Sequence, residues 1–107
     1  MTQRQENILK LAMIRYGVLT QYRQLTEECG ELLSAINHLL RGKDSKEAVI
    51  TELADVAIMV EQFAHEFGYE QYLEERNRKI ERLAGRISFD EYMKYINSNK
   101  NHDAERI

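Results

Sequence analysis

Apolar residues recur along the chain at spacings of three and four, the 3.6-residue period of helices with one buried face. Strict alternation of apolar and polar positions, the mark of a half-buried strand, is missing throughout. Local turn chemistry cuts the pattern into segments. A first helix is predicted over residues 2–16, with Ile8, Leu11 and Ala12 on one face and Met1 at its start; Gly17 breaks it. A second covers residues 18–40 and stops at Arg41-Gly42, a basic residue followed by glycine. Asp44 or Ser45 caps a third helix, which runs to Phe67 and ends at Gly68. A fourth covers residues 70–84, before Gly85. Ser88 and Glu91 have the spacing of a capping box and start a short helix to about Ile96, followed by a polar tail. The predicted fold class is all-α: an antiparallel helical bundle of four main helices plus a short C-terminal one. Residues 1–97 read as a single helical domain and 98–107 as a polar C-terminal tail.

Composition supports this pattern and narrows the classes. The 107 residues include 5 glycines and no proline, so only glycine interrupts the helices. A chain of this length buries one modest core, which many such chains complete by oligomerising. The longest strictly apolar runs, such as residues 56–60, are too short to span a bilayer. The N-terminus lacks the apolar stretch of a signal peptide. Cys29 is the only cysteine, so neither an internal disulfide nor a cysteine-based zinc site can form. A cytoplasmic protein is expected. With 15 Lys+Arg against 18 Asp+Glu, the net charge of −3 argues against binding nucleic acid, and no membrane partner is expected.

Helical phase singles out four of the acids. With Glu28 at zero and about 100° per residue, Leu25, Leu32, Ile36 and Leu39 lie between roughly +20° and +80°, and Ala35 at about −20°. Glu28 therefore lies inside the apolar stripe of the second helix, with Glu31 at its rim. The third helix repeats the arrangement. Glu52 lies among Val49, Val56, Met59, Val60 and Phe63, with Asp55 at the rim. A buried, unpaired carboxylate costs several kcal/mol or gives up its charge. Acids at i,i+3 also repel each other. A short turn joins the two helices, so they should pack antiparallel and bring both pairs together.

Bland readings compete. A single such pair is usually a solvated face, and acids neutralised by core Arg or Lys are a further alternative. Two phase-matched pairs about twenty residues apart are more specific. A di-iron bundle needs Glu-x-x-His pairs, and His38 and His65 lie at the wrong spacing. An all-oxygen ligand set suits a hard cation, Mg²⁺ above all, with Mn²⁺ as a substitute.

Glu28-Cys-Gly-Glu31, a twenty-residue gap, then Glu52-Leu-Ala-Asp55 resembles the ExxE(12–28)ExxD signature of the MazG-like all-α nucleoside triphosphate pyrophosphohydrolases. The flanking text agrees: Thr-Glu-Glu-Cys-Gly-Glu-Leu before the gap and Glu-Leu-Ala-Asp-Val-Ala-Ile-Met-Val-Glu-Gln after it. Lys79-Ile-Glu-Arg82-Leu resembles the short phage and prophage members. The resemblance covers residues 15–87. It implies hydrolysis of an NTP or dNTP between the α and β phosphates, giving monophosphate and pyrophosphate. It also implies that Glu28, Glu31, Glu52 and Asp55 hold Mg²⁺ and are the catalytic residues.

Helix four supplies positive charge for the triphosphate, and Lys79 and Arg82 match the family's basic positions. Asn77 matches a further substrate-binding position. Several relatives carry a Lys four residues before that Asn, where this chain has Leu73. The plain alternative is that these bases pair with Glu74, Glu75 and Glu81 on the surface. Tyr16, Tyr22, Phe63 and Phe67 are candidates to stack on a base or simply to fill the core. Family members are dimers or tetramers, so a homodimer or homotetramer is expected. Leu33, Leu40, Ala57 and Ile58, off the main stripe, support that locally. The rival reading is a non-enzymatic regulatory or adaptor module with a relict metal site.

Overall fold

The computed structural model describes the backbone of residues 1–105 and the side chains through Asn99. Five α-helices follow one another: α1 (Gln3–Tyr16), α2 (Val18–Leu40), α3 (Lys46–Phe67), α4 (Tyr69–Ala84) and α5 (Phe89–Glu105). No strand occurs among the described residues. The chain is an all-α helical bundle, as the periodicity predicts.

The helix ends obey local chemistry. Thr2 caps α1 in a capping box, its hydroxyl accepting from the Gln5 N–H while the Gln5 side chain accepts from the Thr2 N–H. Gly17 separates α1 from α2 with φ +84°, a conformation that side chains with a Cβ rarely adopt. At the end of α2, the Gly42 N–H donates to the Leu39 carbonyl and the Lys43 N–H to the His38 carbonyl. With Gly42 at φ +71°, this is a Schellman stop. It turns the chain back within five residues, so α3 returns along α2. Ser88 and Glu91 form the predicted reciprocal box at the start of α5.

Two expectations are corrected. The α5 helix continues past Ile96 to Glu105, because the polar segment contains neither glycine nor proline to stop it. Positions 106 and 107 of the expected tail lie outside the described residues. On α1 the inward face is Glu6, Leu9, Ala12 and Met13, while Ile8 and Leu11 are exposed. This helix is apolar on several sides, so its period alone does not fix which side packs.

Chain contacts cluster into two units, one spanning Met1–Tyr69 and one beginning at Glu70. In the first, α1, α2 and α3 pack around Met13, Met59 and Phe63, with Leu25 against them. Ala35 and Ala64 are buried as well. The rings of Tyr22, Phe63 and Phe67 cluster with centroids 4.7 to 6.0 Å apart, so these aromatics contact one another. His65, its side chain buried, stacks on Tyr69 and sets Nε2 4.0 Å from Glu6 Oε1, linking α3 to α1. In the second unit, α4 has no buried residue.

One polar contact crosses the core. Gln62 Nε2 donates to Gln21 Oε1 at 2.7 Å, and the two residues are 4% and 7% exposed. Gln21 precedes Glu28 by seven residues, and Gln62 follows Asp55 by seven. Seven residues are about two turns, so each glutamine shares a face with its acid. Between antiparallel helices, pairing Gln21 with Gln62 sets Glu28 level with Asp55 and Glu31 level with Glu52.

Replacing either glutamine alone with leucine leaves a buried amide unpartnered and should cost about 1–3 kcal/mol. The double leucine variant should recover part of that loss. Urea unfolding of the two singles and the double measures the coupling; additive losses would show that the pair does not act as a unit.

Candidate metal centre

The α2–α3 seam gathers the acids. Glu28, Glu31 and Glu52 each offer a carboxylate oxygen, and the three oxygens lie within 4.8 Å of one another. Glu28 and Glu52 are half-buried and Glu31 is exposed. Oε2 of Glu28 and Oε2 of Glu52 are buried with no hydrogen-bond partner. No Lys or Arg forms an ion pair with these carboxylates among the described residues, so the alternative of neutralisation by a core base finds no support. Asp55, half-buried and one methylene shorter, stands outside the three-oxygen group, but its charge reaches Glu28.

The electrostatics follow from crowding. Burial raises the Glu28 pKa above the ordinary 4.5, and the charges of Glu31 and Asp55 add to the rise. A hydrogen bond from Gln24 Nε2 to Glu28 Oε1, 2.7 Å long, works the other way. The donor set fits a hard divalent cation: all the atoms it offers are oxygens, and two of the three carboxylates carry a buried oxygen without any donor.

Beside the acids lies a cavity of about 420 Å³, walled by Glu31, Ser34, His38, Asp44, Thr51 and Glu52. Sequence reasoning passed over His38, Asp44, Ser34 and Thr51 as wall residues. Helical phase carried a signal for one of them, since His38 follows Glu31 by seven residues and shares its face. Gln24, one turn before Glu28, was missed in the same way.

The expected substrate-binding residues, Asn77, Lys79 and Arg82, lie on α4 in the second unit, and all three are exposed. Lys79 lines a surface depression with Tyr72, Glu75, Arg76, Ile80 and Leu83. Arg78 is engaged by Glu75; the contact lowers the Glu75 pKa and raises that of Arg78. Lys79 and Arg82 carry no ion pair among the described residues.

What the fold and the cluster define is an all-α bundle with carboxylates built into the seam between two antiparallel helices. The family model of the MazG nucleotide pyrophosphohydrolase domain matches residues 17–86, and the chain belongs to that family. The family's activity is nucleotide pyrophosphohydrolysis. No curated protein and no solved structure gives a significant match to the chain. No described helix is long and apolar enough to cross a membrane.

The raised Glu28 pKa gives the cation-free protein a signature. A carboxyl whose folded pKa exceeds its unfolded value stabilises fully below the unfolded value. That contribution is lost as pH rises through the folded value. In EDTA, Glu28→Gln should therefore gain melting temperature relative to the natural protein as pH is raised above 4.5. Melting curves that stay parallel across that range would contradict the assignment.

Proposed function

We propose that this chain is a Mg²⁺-dependent pyrophosphohydrolase that cleaves an NTP or dNTP to the monophosphate and pyrophosphate. The observation that carries the reading is the pair of buried, unpartnered oxygens of Glu28 and Glu52 within a three-carboxylate group. Glu28, Glu31, Glu52 and Asp55 are the proposed ligands, with Asp55 joining as the fourth carboxylate. Mn²⁺ can substitute, because the same oxygen set suits it. The bound cation supplies charge stabilisation on phosphate oxygens and a lowered pKa for an attacking water.

The chain's residues divide the remaining work. The clustered carboxylates exclude other anions from the seam and hold the metal-binding oxygens close together. A carboxylate of the same cluster takes the proton of the water that attacks the α-phosphorus, and pyrophosphate leaves as its bond to that phosphorus breaks. Glu27 is exposed on another face of α2 and is not assigned this role. Lys79, Arg82 and Asn77 are the proposed substrate contacts, with the two cationic side chains suited to phosphate oxygens.

A homodimer or homotetramer accompanies this reading. Leu33, Leu40, Ala57 and Ile58 are all exposed, as are Leu11 and Ile14 on α1. A small bundle with so much apolar surface is suited to burying it between subunits.

Incubation with a panel of NTPs and dNTPs plus Mg²⁺ should release pyrophosphate, and Glu52→Gln should lower turnover by about a hundredfold or more. Absence of pyrophosphate with every nucleotide, or full activity of Glu52→Gln, would sink the proposal. A companion measurement separates it from an adaptor module. Mg²⁺ should raise the melting temperature, because a cation that binds only the native state stabilises it. Identical melts with and without Mg²⁺ would favour the adaptor.

A further inference from the structure

We infer that Gln24 is a positioning residue for the cation site, acting through Glu28. The inference rests on the metal-binding reading above and deepens it. Gln24 and Glu28 are one turn apart on α2, and the Gln24 amide donates to one oxygen of the Glu28 carboxylate at 2.7 Å. The other oxygen, Oε2, is buried with no partner. Glu28 offers an oxygen within 4.8 Å of oxygens from Glu31 and Glu52.

A glutamate side chain has three rotatable bonds, and its terminal torsion is broad. Pinning one oxygen removes that freedom and fixes the direction in which the other presents its lone pairs. The choice of donor is as informative as its position. Lysine or arginine at residue 24 would pin the carboxylate equally well, but its charge would compensate the cluster and compete with a cation. A neutral amide orients the ligand and leaves the negative charge in place. Ligating carboxylates are commonly held by such outer hydrogen bonds, whose loss weakens metal binding about 10–100-fold.

The test uses the full chain and Mn²⁺ alone, titrated by the loss of the free-ion electron paramagnetic resonance signal, with no nucleotide present. Gln24→Met keeps the length of the side chain and removes the donor. It should weaken Mn²⁺ binding about 10–100-fold while far-UV circular dichroism stays that of the natural protein. If Gln24→Met does not fold, Gln24→Asn replaces it, since its amide is one methylene short of the Glu28 oxygen. An unchanged Kd, whatever happens to the urea midpoint, gives Gln24 a purely structural role and overturns the inference. Failure of the metal reading itself is seen elsewhere: the natural protein would then take up no Mn²⁺.

Discussion

The register between α2 and α3 is the constraint on which the rest of the molecule depends. An apolar seam can slide by a turn at modest cost, because leucines and valines make similar contacts in several registers. A buried amide pair cannot. Moving α3 one turn along α2 would part Gln62 from Gln21 and leave two buried amides without partners. The pair therefore does for this seam what a polar core position does for a coiled coil: it costs some stability and selects one alignment. Because both glutamines share a face with an acid two turns away, that alignment also decides which carboxylates meet. The Schellman stop at Gly42 acts at the other end, fixing where α3 begins its return.

That alignment loads the seam with an electrostatic burden. Among the described residues the buried apolar ones are few: Met13, Ala35, Met59, Phe63 and Ala64. Against this small core stand carboxylates within 4.8 Å of one another, two of which carry a buried oxygen with no donor. A sequence selected for stability alone would place leucine or alanine at residues 28 and 52, where the apolar stripe already supplies neighbours. Local consistency fails here, and such failures concentrate where function overrides packing.

Much of this was legible from the sequence because the signals were local or periodic. The bounds of α2, the Ser88 box and the placement of Glu28 and Glu52 inside apolar stripes all follow from spacing, and the structure agrees. What escaped had physical reasons. The inward face of α1 is ambiguous because Ile8, Leu9, Leu11, Ala12, Met13 and Ile14 crowd nearly its whole circumference. The length of α5 was understated because its polar end reads as fraying, whereas residues 97–105 contain neither glycine nor proline to interrupt the helix. The glutamines were passed over because an isolated Gln on a helix is normally surface. Only the pairing of residues 21 and 62, forty-one apart, reveals why two are buried. Asp55, expected with the other acids, is not among the three residues whose carboxylate oxygens lie within 4.8 Å of one another.

The seam supports its acids with neutral groups, and this separates it from an ordinary buried ion network. In a structural network, arginine or lysine satisfies the carboxylates, and removing one partner is strongly destabilising because an uncompensated charge remains. Here the hydrogen bonds near the acids come from amides. Gln24 holds Glu28, and Gln21 and Gln62 hold each other two turns away. Amides fix position without supplying charge, so the negative potential of the seam persists in the folded protein. Burial and neighbouring charge then push the Glu28 pKa upward, the response of a carboxylate that lacks a counter-charge. On the proposed metal-binding reading, a hard divalent cation would relieve both effects at once, by ligating the orphaned oxygens and neutralising the repulsion between the helices. Ligand binding and the stability of the α2–α3 seam would then be one equilibrium. The same glutamines align the helices without neutralising them, so on that reading the counter-charge is left to the cation.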